Sequence, residues 1–235
     1  METSLIFKTL LILVVQLAIV FGYCAFFIRR CRLAYENDES FFWMRFSAEK
    51  NESDELDLVP EMLSTTPLNL LLAIWFVVDL IMIFVAPYSV QWGLLLMTVS
   101  SILMGAALGN LMILSDENDG MRTLKLTIMI TSGLGFVGMY SGIDLSPMRV
   151  FLVLSLLALI LWHVLNLIVS FSRSTRRWQA LIGVIIFSGF LLHDFNYLAQ
   201  LNEAQVNDWN TALEIAINLY LDVLNLLLEL LASDN

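Results

Sequence analysis

The chain has 235 residues, 59% of them hydrophobic and 14% charged, with a formal net charge of −10 at pH 7. Apolar content at that level excludes an ordinary soluble domain and indicates a polytopic membrane protein. The acidic balance, with basic residues gathered at the edges of apolar runs, excludes a nucleic-acid-binding surface.

The first apolar run, about Leu5 to Ile28, is too long for a removable signal peptide and lacks a small-residue cleavage site, so it is predicted to be the first span. A long loop over 29–66 follows, basic at its start and with nine acids between Glu36 and Glu61. It reads as a solvated connection; collecting cations at a pore mouth is the alternative. Asn51-Glu52-Ser53 in this loop is a glycosylation sequon if it faces a lumen. Neither Cys24 in the first run nor Cys31 just after it offers a disulfide framework or a metal-ligand spacing.

The second span, about 68–86, carries Asp79 in mid-helix. The third, about 93–114, is rich in small residues, among them Ser100, Ser101, Gly105, Ala106, Ala107 and Gly109, which mark close helix packing. The fourth, about 124–143, repeats the pattern with Gly133, Gly135, Gly138 and Gly142. Its Gly-Leu-Gly-Phe-Val-Gly run imitates part of a dinucleotide fingerprint, but no strand precedes it. The fifth span, about 148–169, holds His163 and Asn166, and a membrane histidine of this kind is read as hydrogen-bonded. The sixth and seventh, about 178–200 and 211–231, are joined by a polar link from Leu201 to Asn210. The prediction is one seven-helix transmembrane domain over 1–235, all-α.

The last two spans each carry an aspartate, Asp194 and Asp222. At about 1.5 Å of rise per residue, Asp194 lies ~10 Å before the link and Asp222 ~18 Å after it, so two antiparallel helices can bring them together. An ionisable group at such a depth costs at least about 2.5 kcal/mol on insertion scales. Glu214, Asn218, Asp222, Asn225 and Glu229 follow at spacings of four, four, three and four, which is one face of a helix. That face is expected either to pack against neighbouring helices or to line a wet, ion-accessible interior. Two carboxylates in low dielectric share one proton, and loss of that proton leaves like charges that a hard cation such as Ca²⁺ neutralises through oxygen. Asp194 and Asp222 are therefore the candidate proton-sensing and transient Ca²⁺-binding residues. Glu214, Asn218, Asn225, Glu229 and His193 are the supporting polar face.

A resemblance enters at these residues. The run Ala216-Ile217-Asn218-Leu219-Tyr220-Leu221-Asp222-Val223-Leu224-Asn225-Leu226 resembles the last-helix signature of the transmembrane Bax inhibitor motif family. Ile186-Phe187-Ser188-Gly189-Phe190-Leu191-Leu192-His193-Asp194 resembles that family's sixth helix, and Phe7 to Leu17, with Lys8 and Gln16, its first. Two departures stand out: His193, Phe195 and Asn196 flank Asp194 where the family has Tyr, Thr and Gln, and Ser100 or Ser101 replaces a glutamate of its third helix. The resemblance implies a seven-helix bundle of the Bax inhibitor type with the polar last helix at its centre. It also implies calcium leak from endoplasmic reticulum or Golgi stores and dampened apoptosis, with no enzymatic activity and no cofactor besides Ca²⁺ as permeant ion. The implied partners are the lipid bilayer and apoptosis-regulating membrane proteins. Short loops suit a cellular member and one captured by a large virus alike.

Two orientations compete. Ten of the twelve basic residues fall in the first, third and fifth loops, which the positive-inside tendency places in the cytosol with the N-terminus outside. The resemblance implies a cytosolic N-terminus instead. Two other functions also compete with a leak. A non-conducting seven-helix scaffold or receptor-like protein would suit an N-outside chain, but not the polar last helix. An intramembrane aspartyl protease would need Tyr-Asp and Gly-x-Gly-Asp contexts, which are absent.

Overall fold

A computed structural model describes residues 3–50, 56–62, 64, 66–115, 117–169 and 172–234. The helices are α1 (Leu5–Glu36), α2 (Thr66–Val85), α3 (Val90–Ser115), α4 (Glu117–Tyr140), α5 (Met148–Ile168), α6 (Arg173–Glu203) and α7 (Trp209–Asp234). Among the described residues, seven helices are long and apolar enough to cross a membrane, which suits a medium in which the backbone must satisfy its own hydrogen bonds. α1 continues to Glu36, past the expected end of its apolar run at Ile28. The extension carries Arg29, Arg30 and Arg32, good helix formers that prolong a helix beyond the lipid without needing burial. α6 begins early, at Arg173, because Ser172 caps it by accepting the Thr175 amide.

The expectation of an all-α chain needs one correction. Within the acidic loop, β1 (Met44–Lys50) and β2 (Leu56–Met62) pair antiparallel, in a register that runs from Met44↔Met62 to Lys50↔Leu56. A two-stranded ribbon is marginal alone. This one is anchored where Met44, fully buried, brings its sulfur 3.7 Å from Asn110 Nδ2 on α3. Phe27 of α1 meets Phe41 and Phe42 at 5.2 and 5.4 Å between ring centroids. The sequon residue Asn51 lies outside the described residues.

The chain divides into two compact units, Ile12–Gly120 and Met1–Leu11 with Met121–Asn235. In the first, α3 crosses α1 closely enough that a Cβ on Gly105 would lie 2.5 Å from the Val20 carbonyl oxygen, and one on Gly109 2.9 Å from Phe27 Cβ. The small-residue stripe of the third span is thus a packing surface. Beside it, Asp79 of α2 is buried, and Ser100 Oγ donates to its Oδ1 at 2.5 Å while accepting from Trp75 Nε1 at 3.1 Å. Ser101 Oγ donates to Gln16 Oε1 at 2.9 Å, and Gln16 Nε2 donates to Thr98 at 3.2 Å. Cys24 and Cys31 are buried and form no disulfide among the described residues, and Cys24 Sγ lies 3.6 Å from Met112 Sδ.

In the second unit, α6 and α7 form the principal pair, with α5 against α6. On α4, Gly135 and Gly138 lie against α6: a Cβ on Gly138 would sit 2.7 Å from the Leu192 carbonyl oxygen. Gly133 meets nothing, and Gly142 lies beyond the helix end with φ +66°. The fourth-span packing surface therefore comprises two of its four glycines; Gly142 is a turn residue, placed where φ > 0 favours glycine. α7 is the most enclosed helix, with 67% of its apolar window buried against 11% in α2 and α5.

The entry into α7 is fixed by Asp208, which accepts the Thr211 amide and hydroxyl, both at 2.8 Å. Those contacts hold its carboxyl below the usual range, the Thr211 amide most of all. A depressed carboxyl stabilises the fold above its unfolded pKa and loses that contribution as pH falls through the folded one. Asp208→Ala is expected to cost about 1 kcal/mol in thermal or denaturant unfolding in detergent near neutral pH. The difference from wild type should shrink in acid.

Candidate functional site

The α6–α7 hairpin positions the site. Residues 204–208 connect the helices. Gly183 of α6 lies against Glu229 of α7, while Asp194 pairs with Asp222, so the two run antiparallel as the depth argument requires. Asp222 is 8% exposed, faces Asp194 within reach of a carboxyl–carboxyl hydrogen bond, and keeps a buried Oδ2 with no hydrogen-bond partner among the described residues. His193, also buried, places Nδ1 2.8 Å from Asp194 Oδ1. Its ring stacks near Tyr197 at 6.4 Å. A neutral imidazole that donates from Nδ1 gives Asp194 a fixed partner, and Asp222 has none of its own.

The polar stripe of α7 divides along its length. Asp222 and Glu229 are buried, Asn225 is half-buried, and Glu214 and Asn218 are exposed. At about 100° per residue, Glu214, Asn225 and Asn218 span the first ~40° of the stripe, with Glu229 and Asp222 at ~60° and ~80°. The two positions at the far edge are buried and those at the near edge are not, with Asn225 half-buried between exposed Glu214 and Asn218. The face is polar throughout, but only its Asp222–Glu229 edge turns inward; the expectation that the whole face does so is corrected for Glu214 and Asn218.

Asn196, noted from the sequence only as a departure, ties down the segment after α4. Its Nδ2 donates to the carbonyls of Gly138 at 3.1 Å and Ile143 at 2.9 Å. Its Oδ1 accepts from the Leu145 amide at 3.1 Å and Gln200 Nε2 at 2.8 Å. Gln200 also donates to Asp144, whose carboxyl is held low by Ser146, through hydroxyl and then amide, and by Gln200. The carboxylate helix is thereby fastened two residues beyond Asp194. An amide two positions after the aspartate was the available signal, but its carbonyl partners lie more than fifty residues away in the chain.

Other acids gather elsewhere. A pocket of about 470 Å³ at the end of α1 is lined by Asp38, Glu39, Arg45 and Glu61 among others. Among the described residues, no group of three or more His, Cys, Asp or Glu side chains is arranged to hold a metal.

Asp194, partly buried, and Asp222, buried, face each other across the last two helices, and comparison with known families bears on the whole chain. Residues 2–233 match the family described as Inhibitor of apoptosis-promoting Bax1. Its members are not enzymes. With seven helices able to cross a bilayer and a match over nearly its full length, the chain is an integral membrane protein that belongs to the Bax inhibitor family.

Proposed function

We propose that the protein is a pH-sensitive leak pathway for Ca²⁺ in intracellular membranes, endoplasmic reticulum or Golgi, which lowers store calcium and thereby restrains apoptosis. The observation that carries this reading is the Asp194–Asp222 pair, with Asp222 buried and one of its carboxylate oxygens unpartnered, and His193 fixed on the partly buried Asp194. With one shared proton the pair carries a single negative charge and forms a hydrogen-bonded closure between α6 and α7. Without it, two like charges repel, and oxygen ligands become available to a hard dication in transit. Apoptosis-regulating membrane proteins are the partners through which store calcium, or the protein itself, acts on survival. The direct test is Ca²⁺ flux through purified protein in liposomes over a range of pH. A pH-dependent flux supports the reading. Absence of flux favours a non-conducting scaffold that works through partners.

The expected orientation follows the charge bias, with the start of α6, which carries Arg173, Arg176 and Arg177, at the cytosolic side. A protease site or tag inserted before Arg173 should be cleaved or labelled from the cytosolic side in intact vesicles. Access from the lumen instead would establish the opposite topology, with the N-terminus in the cytosol.

A further inference from the structure

The turn that leads into β1 is built from residues that its backbone disfavours. Phe41 N donates to Met44 O at 3.0 Å and Met44 N to Phe41 O at 2.9 Å, which leaves Phe42 and Trp43 as a two-residue loop. Both have positive φ, +50° and +59°, as a type I′ turn requires. Hairpins that face water fill those places with Asn, Asp or Gly, because a bulky side chain at φ > 0 crowds its own backbone. Two adjacent aromatic residues there are an outlier, and such outliers point to a task.

Part of what offsets the strain lies inside the protein. Phe42 packs on Phe27 of α1, and Phe41 packs on Phe27 as well, with the Arg30 guanidinium 5.7 Å from its ring centroid. Met44, fully buried beside Asn110 of α3, pins the stem of the turn. Trp43 is different. Its only ring neighbour among the described residues is Phe42, edge-on at 6.2 Å, and 60% of it is exposed.

The level of the turn along α1 identifies what covers the indole. The chain leaves α1 at Glu36, yet the turn lies back beside Phe27, ~13 Å lower along the helix axis at about 1.5 Å per residue. Arg29 and Arg30, both exposed, stand within one helical turn above Phe27. By the same rise Lys8 and Arg29 are ~31 Å apart along α1, the thickness of a bilayer's hydrocarbon core. Tyr23 and Phe26, on the lipid side of that level, are exposed apolar rings, whereas the pocket lined by Ala34, Asp38 and Glu39 lies beyond it.

We infer that the Phe42–Trp43 turn is a foot set into the headgroup–acyl boundary of the membrane that α1 crosses, with Trp43 as its anchor and Arg29 and Arg30 at the lipid phosphates. An indole, apolar in its rings and polar at its N–H, settles at this level. A guanidinium matches phosphate with two parallel donors. The acidic connection is therefore tethered to the bilayer at its start, and the foot fixes the depth of α1.

Spin labels measure that depth directly. Full-length protein carrying Cys24→Ser and Cys31→Ser is labelled with a nitroxide at Trp43→Cys, Phe26→Cys or Glu36→Cys, in liposomes of phosphatidylcholine and phosphatidylserine. Collision with oxygen, which concentrates in lipid, is compared with collision with a water-soluble nickel chelate. The oxygen-to-chelate ratio at position 43 should exceed that at 36 by about threefold or more, and should not exceed that at 26. A ratio at 43 equal to that at 36 overturns the proposal, because the turn then stands in water or on a soluble partner. Fluorescence follows the native indole, with both native cysteines kept, so it decides even if the serine background fails to fold. The emission lost in Trp43→Phe should be quenched by phospholipid brominated high on its acyl chains and spared by aqueous iodide. Quenching by iodide and not by brominated lipid overturns the proposal as well. Neither readout depends on whether the protein leaks Ca²⁺.

Discussion

Asp222→Asn is expected to yield a protein that folds but whose Ca²⁺ leak no longer responds to pH. In wild type the leak should be low while Asp194 and Asp222 share a proton and rise as increasing pH removes it. Two carboxylates ~4 Å apart repel by about 4 kcal/mol at an effective dielectric of ~20, enough to move a closed–open equilibrium by roughly three orders of magnitude. The amide of the variant still hydrogen-bonds across the helix pair but leaves one ionisable group, so that repulsion never develops. Asp194→Asn is the less clean partner experiment, because it also takes from His193 the charge at 2.8 Å. A purely structural hairpin predicts the reverse: a small stability change and wild-type flux. If both single variants leak like wild type at every pH, the proposed function fails.

The second large effect concerns Asn196. Asn196→Asp exchanges the donor shared by the Gly138 and Ile143 carbonyls for an acceptor that faces them. Each buried polar group left unpaired costs about 1–3 kcal/mol, and a carboxylate against two carbonyl oxygens adds repulsion, so the loss should reach about 3 kcal/mol or more. Unfolding in detergent should show it as a lowered midpoint. Asn196→Leu should destabilise by a similar route without the added charge. If Asn196→Asp unfolds like wild type, the connection after α4 is held by something other than this amide. The same substitution should loosen Asp194, since the anchor sits half a turn away on the same helix.

Much of this architecture was legible because lipid permits so few backbone solutions. Runs of apolar residues named all seven helices, and the four-four-three-four spacing named the polar face of α7. What escaped depends on distance in sequence. The hairpin at 44–62 was hidden by its charge: an acidic stretch reads as solvated loop, and the sequence does not show that Met44 seats beside Asn110 of α3. The split of the α7 stripe was hidden because a helical face some 80° wide can be half in and half out. The glutamate-to-serine departure in the third helix proved informative in the opposite direction. Ser100 and Ser101 supply hydroxyls, one to Asp79 and one to Gln16, so the carboxyl of this region stands on α2.

That last pairing bears on how the chain enters a membrane. Asp79 sits in the middle of α2 and emerges from the ribosome twenty-one residues ahead of Ser100, its hydrogen-bond donor. Alone in the insertion machinery, α2 must carry its acid into hydrocarbon at a cost of about 2.5–3.5 kcal/mol. Once α3 has been synthesised, the short turn between them lets the hydroxyl reach the carboxyl. The favourable course is for α2 to wait at the protein-lined exit and move into lipid together with α3, so that the unit of insertion here is a helical hairpin and not a single span.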